Sequence, residues 1–123
     1  MNLSKSEEQV MNYLWKLKKA FIKDLLKEFP DPKPATTTVL TLLKRMKGKG
    51  YVDFKVFGNS REYFPLVEKK DYVKGRFKGM VRDFFNDSPI QLASFFASEA
   101  DLTKEQLAEL RDIIDQKIDE DDD

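Results

Sequence analysis

Residues 36–50, "TTTVLTLLKRMKGKG", contain the pattern that decides the fold. Their apolar residues recur at i, i+3, i+4 and i+7, the spacing of a helix with one buried face: Val39, Leu42, Leu43 and Met46. Gly48 and Gly50 are expected to close this helix. Three consecutive β-branched threonines are poor helix formers. Their place at the start of the helix, with cations at its end, raises the question of what the polar face does.

The polar face of this predicted helix combines short hydroxyls with long cations: Thr37, Thr38, Thr41, Lys44 and Arg45. Hydroxyls and amides at a helix N-terminus can approach phosphates and base edges, and threonine methyls can pack on thymine methyls. Lysine and arginine can reach guanine or phosphate. The pattern therefore predicts a recognition helix for the major groove of DNA. The alternative is a solvated helix face on which the threonines serve as caps.

The segments around this helix predict a winged helix-turn-helix domain over residues 1–68. Ser4 and Glu7 form a capping box before one amphipathic helix, and a second short helix is stopped by "PDPKP" at residues 30–34. Residues 51–66, "YVDFKVFGNSREYFPL", alternate like two strands, with Gly58-Asn59 as the turn. Three helices followed by a hairpin is the element order of that fold. We expect the hairpin, or wing, to place two cations near its tip: Lys55 and Arg61.

Residues 69–118 predict a helical dimerisation domain. Together with the N-terminal domain, this gives a fold class that is mostly α with a small β wing. Three helices of this length cannot cover so many large apolar side chains by themselves. A second copy of the chain is the simplest partner, and the alternative is that the helices fold back onto the N-terminal domain. The residues expected at the dimer interface are Phe77, Met80, Phe84, Phe85, Leu92, Phe95, Phe96, Leu107, Leu110 and Ile114. The acidic residues 119–123 are expected to form a disordered, solvated tail.

Composition excludes most catalytic chemistry. The 123 residues include no cysteine and no histidine, so zinc sites of the Cys/His kind, disulfides and His-based acid–base catalysis are absent. We expect neither an enzyme nor a bound metal or cofactor. No apolar run approaches the ~20 residues that span a bilayer and no signal peptide pattern is present, so we expect a cytoplasmic protein without membrane insertion.

The formal net charge of zero hides a division along the chain. Residues 1–82 hold 19 lysines and arginines and 9 acidic residues, which gives +10, whereas residues 83–123 hold 3 and 13, which gives −10. A basic N-terminal part is typical of a protein that binds a polyanion, and the acidic C-terminal part must have another role. The alternative is that the charge only keeps a small domain soluble.

Several motifs in order resemble the penicillinase repressors of the BlaI/MecI type, over nearly the whole chain. These are "EEQVMNYLW" (residues 7–15), "TTVLTLLKRMKGKG" (37–50), "YFPLV" (63–67) and "DLTKEQLAELRDII" (101–114). The resemblance implies a homodimeric winged-helix repressor that binds a pseudo-palindromic double-stranded DNA operator. It also implies a possible partner, a membrane-bound sensor protease.

Two departures limit what the resemblance implies. Members regulated by the sensor protease are cut at an Asn-Phe bond, where this chain has Phe95-Phe96, so the resemblance leaves release by proteolysis open. Copper-responsive relatives end in a cysteine cluster that this chain lacks. The rival function is a winged-helix module that binds a protein and never contacts DNA. A neutral or acidic recognition face would favour that function, whereas this one carries Lys44, Arg45, Lys47 and Lys49.

Overall fold

The structure, a computed structural model, describes residues 3–121, and within that range it contains six helices and three short strands. The chain divides into two compact units, Met1–Arg76 and Phe77–Asp123, and this division falls inside the fourth helix. In chain order the elements are α1 (Lys5–Leu17), β1 (Ala20–Phe21), α2 (Ile22–Glu28), α3 (Thr36–Gly48), β2 (Val52–Phe57), β3 (Ser60–Pro65), α4 (Lys69–Phe84), α5 (Pro89–Glu99) and α6 (Lys104–Asp121).

The first unit is a winged helix-turn-helix domain, which confirms the predicted fold class. Three helices precede an antiparallel hairpin, and the three-stranded sheet has the order β1-β3-β2. The hairpin turns at Gly58 and Asn59, as predicted, and Gly58 has a φ of +60° that favours glycine. Sequence reasoning missed β1, whose Ala20 and Phe21 lie opposite Tyr63 and Glu62 of β3.

The core of the first unit fixes α3 in place. Val39, Leu43 and Met46 of α3 are fully buried, as the spacing predicted, and Leu42, the fourth residue of the predicted stripe, is half-buried. Around them lie the buried side chains of the other elements: Val10, Met11 and Leu14 of α1, Leu25 of α2, Val52 of β2 and Tyr63 of β3. Because one side of α3 is packed in this way, its opposite side faces outward.

Capping hydrogen bonds start two of the helices, and the first of these caps lies where the sequence predicted it. At α1 the Glu7 N–H donates to Ser4 Oγ (3.2 Å) and the Ser4 N–H donates to Glu7 Oε1 (2.8 Å). At α6 the Gln106 N–H donates to Thr103 Oγ1 (3.1 Å) and the Thr103 N–H donates to Gln106 Oε1 (3.0 Å). Each box satisfies two N–H groups that a helix end would otherwise leave unpaired.

The start of α4 belongs to the first unit and packs beside α1. The indole N–H of Trp15 donates to the Val67 carbonyl (2.8 Å), and the rings of Trp15 and Tyr72 lie 5.7 Å apart. The Tyr72 hydroxyl donates to the Glu8 carboxylate. Burial and this hydrogen bond together raise the pKa of Tyr72 to about 12. Trp15 is therefore anchored in the packing of the first unit.

The second unit consists of the rest of α4 with α5 and α6, and most of its apolar side chains are exposed. No residue of α5 or of the described part of α6 is buried. The rings of Phe85 and Phe95 lie 5.5 Å apart and form one of the contacts within this unit. The predicted domain boundary at residues 68 and 69 lies just before α4 and stays a prediction.

The C-terminal segment predicted as a tail is described only in part. The helix α6 continues through residues 119–121, and these residues are exposed. Residues 122 and 123 lie outside the described residues, as do residues 1 and 2 of the predicted N-terminal domain. Among the helices described, none combines the length and apolar character needed to cross a membrane.

Candidate nucleic-acid interface

The outward side of α3 exposes all five polar residues that the sequence assigned to DNA binding: Thr37, Thr38, Thr41, Lys44 and Arg45. The N-cap residue of α3 is Ala35, which has no side-chain acceptor. No threonine therefore occupies the N-cap position, so the capping role in the alternative is wrong, while a merely solvated helix face stays the alternative to DNA binding. The side chains of Thr37, Thr38 and Thr41 are exposed on the outer surface of the helix.

The structure separates these five residues into two sides of the helix. Thr37, Thr41 and Lys44 line a groove of about 520 Å³ between α3 and the wing. Thr38 instead lines a smaller groove of about 280 Å³ beside the proline-containing loop at residues 30–34. At 100° per residue, Arg45 lies on the Thr38 side of the helix. The helix thus presents a wing side and a loop side.

Thr41 has its hydroxyl turned toward its own helix. Its Oγ1 donates to the Thr37 carbonyl at 2.9 Å, so the hydroxyl proton is engaged within the chain. The oxygen can still accept a hydrogen bond, and the methyl group remains on the exposed surface. In this conformation Thr41 offers a base an acceptor and a methyl group rather than a donor.

The wing places its two predicted cations on opposite faces. Arg61 lines the groove beside α3, and its guanidinium lies 4.4 Å from the ring centroid of Phe54, a favourable cation–π distance. Lys55 lies opposite Glu62 in the hairpin register, and neither residue is among those that line this groove. The structure therefore brings Arg61 close to α3 and leaves Lys55 on the other face of the wing.

Two of the four cations at the end of α3 are held by carboxylates of the chain itself. Lys49 Nζ lies 2.7 Å from Glu7 Oε1, and Lys47 Nζ lies 3.6 Å from Asp53 Oδ1. Lys44 and Arg45 form no ion pair with any residue between 3 and 121. These two, with Arg61, are the cations near α3 best placed to meet a phosphate.

The carboxylate of the Glu7–Lys49 pair is almost removed from water, because the Glu7 side chain is 2% exposed, whereas the Lys49 side chain is 27% exposed. Burial by itself would raise the pKa of Glu7. The hydrogen bonds from Lys49 and Ser4 and the charge of Lys49 outweigh this effect and lower the pKa below its ordinary value. Glu7 is therefore ionised at neutral pH, and it holds the end of α3 against the start of α1.

Sequence reasoning missed one residue of the outward surface, Leu40. Its side chain is 38% exposed. It lines the 520 Å³ groove between α3 and the wing, together with Thr37 and Lys44. It also lines a second groove of about 530 Å³ beside β1 and the wing. The available signal was its spacing, three residues after Thr37 and four before Lys44, which puts it on the polar side of the helix.

A metal site is not formed by the described part of the chain. No three acidic side chains between residues 3 and 121 come close enough together to hold an ion. The interface is therefore defined by hydroxyl, methyl and cationic groups around one helix and one wing.

Comparisons with known proteins show which proteins this chain is similar to. The chain is 28% identical to the methicillin resistance regulatory protein MecI of Staphylococcus aureus (strain N315) over 116 residues, which cover 94% of each protein. It is 24% identical to the penicillinase repressor of Bacillus licheniformis over 115 residues, or 93% of this chain and 90% of that one. The solution structure of the DNA-binding domain of the repressor BlaI is similar with a TM-score of 0.51 and 26% identity, covering 58% of this chain and 88% of that domain.

The sequence profile of one family covers residues 3–116 of this chain, and its description is "penicillinase repressor". That range includes the recognition helix, the wing and most of α6. The chain therefore belongs to the penicillinase repressor family, a family of transcriptional repressors and not of enzymes.

Proposed function

We propose that this chain is a cytoplasmic, sequence-specific DNA-binding repressor that acts as a homodimer on a pseudo-palindromic operator. The observation that carries the proposal is the exposed face of α3, where threonines and unpaired cations lie beside the groove that contains Arg61. A helix of this kind fits the major groove, and a wing at its side fits the neighbouring backbone. Membership of a repressor family supports the same function.

The residues divide into base-contacting and phosphate-contacting groups by their position on α3. Thr37 and Thr41 lie in the first two turns, where a recognition helix comes closest to base edges. Lys44 and Arg45 lie farther along and can reach phosphates on either side of the groove. Arg61 is held against Phe54 with its N–H donors available for a phosphate oxygen.

The homodimer rests on apolar side chains that the single chain leaves exposed. Phe84 is 79% exposed, and most other predicted interface residues of the second unit are also exposed: Phe77, Met80, Phe95, Phe96, Leu107 and Ile114. Phe85, Leu92 and Leu110 are partly buried. Exposed apolar area on this scale is typical of a protein interface. A second copy would bury a standard interface or more, at least about 1,600 Å² in total.

A protein-binding winged helix without DNA contact is the second candidate function. The cations Lys44 and Arg45 argue against it, because a helix that binds only protein has no need of two unpaired cations beside exposed threonines. If this candidate were correct, the chain would show no preference among duplex sequences. The DNA experiment below separates the two functions.

Release by a membrane-bound sensor protease is a separate proposal about a partner. The Phe95-Phe96 bond lies inside α5 (Pro89–Glu99), and both side chains are exposed. Proteases cleave opened backbone, so α5 must unfold locally before this bond could be cut. Incubation of the full chain with the sensor protease, followed by mass spectrometry of the fragments, tests this partner.

The DNA experiment combines selection from random duplexes with footprinting of the selected sites. We expect one enriched pseudo-palindrome and a symmetric footprint. A Lys44→Ala/Arg45→Ala variant should lose binding, whereas Lys104→Ala/Arg111→Ala, which removes the same charges from α6, should retain it. Random sequences after selection, or equal loss for both variants, would contradict the proposal.

The dimer experiment measures sedimentation of the full chain at micromolar concentration. We expect a dimer that Phe84→Asp weakens, because the new carboxylate would be desolvated in the interface. Phe57→Asp, at an exposed phenylalanine of the wing, is the matched control and should leave the dimer intact. A monomeric wild-type chain would reject the homodimer.

A further inference from the structure

Leu40 is an apolar side chain at the boundary between the polar side of α3 and the apolar residues Leu43 and Phe54, which line the same groove. On the wing side of α3 it lies among Thr37, Thr41 and Lys44, and it is 38% exposed. The other apolar side chains of α3 between Val39 and Met46 are buried or half-buried. Leu40 therefore offers part of its apolar side chain to the outer surface, next to the polar residues of α3.

We propose that Leu40 recognises the C5 methyl group of a thymine in the major groove, and thereby selects an A·T base pair at one position of each operator half-site. This inference rests on the proposed DNA-binding function. It concerns which base the interface prefers, a property that the family assignment does not supply.

The chemistry of the base edges points to thymine. A leucine side chain has no hydrogen-bond donor or acceptor, so it cannot distinguish the polar groups of guanine, cytosine or adenine. The thymine methyl is the one apolar group on the major-groove edges of the four standard bases. A polar base edge placed against Leu40 would lose water without gaining a partner, which disfavours the other bases.

Two neighbouring side chains have their polar groups engaged within the chain. The Thr41 hydroxyl donates to the Thr37 carbonyl (2.9 Å), so no hydroxyl donor competes for the base from that residue. On the wing side, Arg61 is drawn over the Phe54 ring (4.4 Å) and lies in the same groove. Leu40 is thus placed between a methyl-bearing threonine and a cation that can hold the adjacent phosphate.

The experiment removes one methyl group at a time from the DNA. Each thymine of the selected operator is replaced singly by deoxyuridine, which lacks only the C5 methyl, and the affinity of the full-length protein is measured. We expect one position in each half-site to weaken binding about fourfold, the effect of returning one methyl group to water. At that position Leu40→Ala should bind the two duplexes equally.

Two further variants identify the side chain responsible. Thr41→Ser removes only the methyl group of Thr41 and should keep the sensitivity to deoxyuridine, as should Thr38→Ala on the loop side of the helix. In a further test, the sensitive thymine is replaced either by cytosine or by 5-methylcytosine. The duplex with 5-methylcytosine should bind more tightly than the duplex with cytosine, because it restores the methyl group. Circular dichroism and Trp15 emission check that each variant is folded.

The outcomes separate the inference from the proposed function. A selected operator that is indifferent to every deoxyuridine, or a sensitivity that Thr41→Ser abolishes and Leu40→Ala retains, would overturn the inference alone. Failure to select any preferred duplex would overturn the proposed function and the inference with it. Loss of the methyl effect in Leu40→Ala only is the result that supports the inference.

Discussion

Replacing Lys49 by methionine should destabilise the first unit strongly, because it leaves a buried carboxylate without its cation. Glu7 Oε1 accepts from Lys49 Nζ (2.7 Å) and from the Ser4 N–H (2.8 Å), while Glu7 Oε2 is buried with no hydrogen-bond partner among the described residues. Methionine keeps much of the apolar stem of lysine and removes the ammonium group with its charge and its hydrogen-bond donors. The remaining hydrogen bonds from Ser4 cannot compensate for the desolvated charge.

The expected loss is about 2–3 kcal/mol in the free energy of unfolding at pH 7. A hydrogen bond to a charged group contributes about 1.5–3 kcal/mol, and removal of one partner from a fully buried pair costs about 3–5 kcal/mol. The Lys49 side chain is 27% exposed, so the loss should lie below the figure for a fully buried pair and near that for one charged hydrogen bond. The matched control is Lys47→Met, whose ion pair with Asp53 has both side chains more than 40% exposed and should contribute less than about 1 kcal/mol.

The pH dependence has a definite sign. In the wild type the pKa of Glu7 is lowered, so its stabilisation is complete above the pKa of the unfolded chain and is lost as the pH falls through the folded pKa. In Lys49→Met, burial acts without the cation and the pKa of Glu7 should rise above its ordinary value. The difference in stability between the variant and the wild type should therefore shrink as the pH falls.

The assay is urea unfolding followed by the emission of Trp15, the single tryptophan of the chain, which reports on the first unit. Unfolding curves are recorded at a fixed protein concentration at pH 7 and at several lower pH values. Equal losses for Lys49→Met and Lys47→Met, or a loss for Lys49→Met that does not change with pH, would refute the reasoning.

Three further predictions concern DNA binding and the acidic segment. Lys44→Ala should weaken binding to the operator and to random duplexes alike and reduce the salt slope by about one unit in a titration over a salt series, whereas Lys104→Ala should leave the slope unchanged. Thr41→Ala should cost about 1–3 kcal/mol on the operator and little on random DNA, and equal losses on both duplexes would contradict base recognition. Deletion of residues 119–123 should leave the sedimentation of the dimer unchanged and should slightly raise the affinity for random DNA, because it removes charge repulsion. A monomeric deletion variant would show that this segment is not a solvated tail.

The parts of the fold that could be predicted are those encoded by local periodicity. The helical spacing of Val39, Leu43 and Met46 identified the buried side of α3, and Gly58-Asn59 identified the turn of the wing. Each of these two signals is formed by residues that lie close together in the sequence. A two-residue strand such as β1 has no period, so only its pairing with β3 reveals it.

The parts that could not be predicted depend on contacts between distant segments. The Glu7–Lys49 pair joins residues 42 positions apart, and it removes one lysine from the set of cations available to DNA. Lys55 and Arg61 looked equivalent near the tip of the wing, but the hairpin register places them on opposite faces. Which cations face the recognition helix is therefore a property of the tertiary structure.

The two sides of α3 have different physical roles. The inner side stabilises the helix by packing, whereas the outer side carries threonines that are poor helix formers. Three threonines in place of alanines disfavour the helix by about 2 kcal/mol in total, from an intrinsic difference of about 0.6 kcal/mol each. Burial of Val39, Leu43 and Met46 contributes about 1.5–3 kcal/mol for each side chain, which exceeds that loss at least twofold. Because packing on the inner side already holds the helix, the outer side is free to carry residues chosen for what they contact. The poor helix formers lie where the first turn is exposed and Ala35 provides no side-chain cap, so their hydroxyl and methyl groups face outward, where a base pair can meet them.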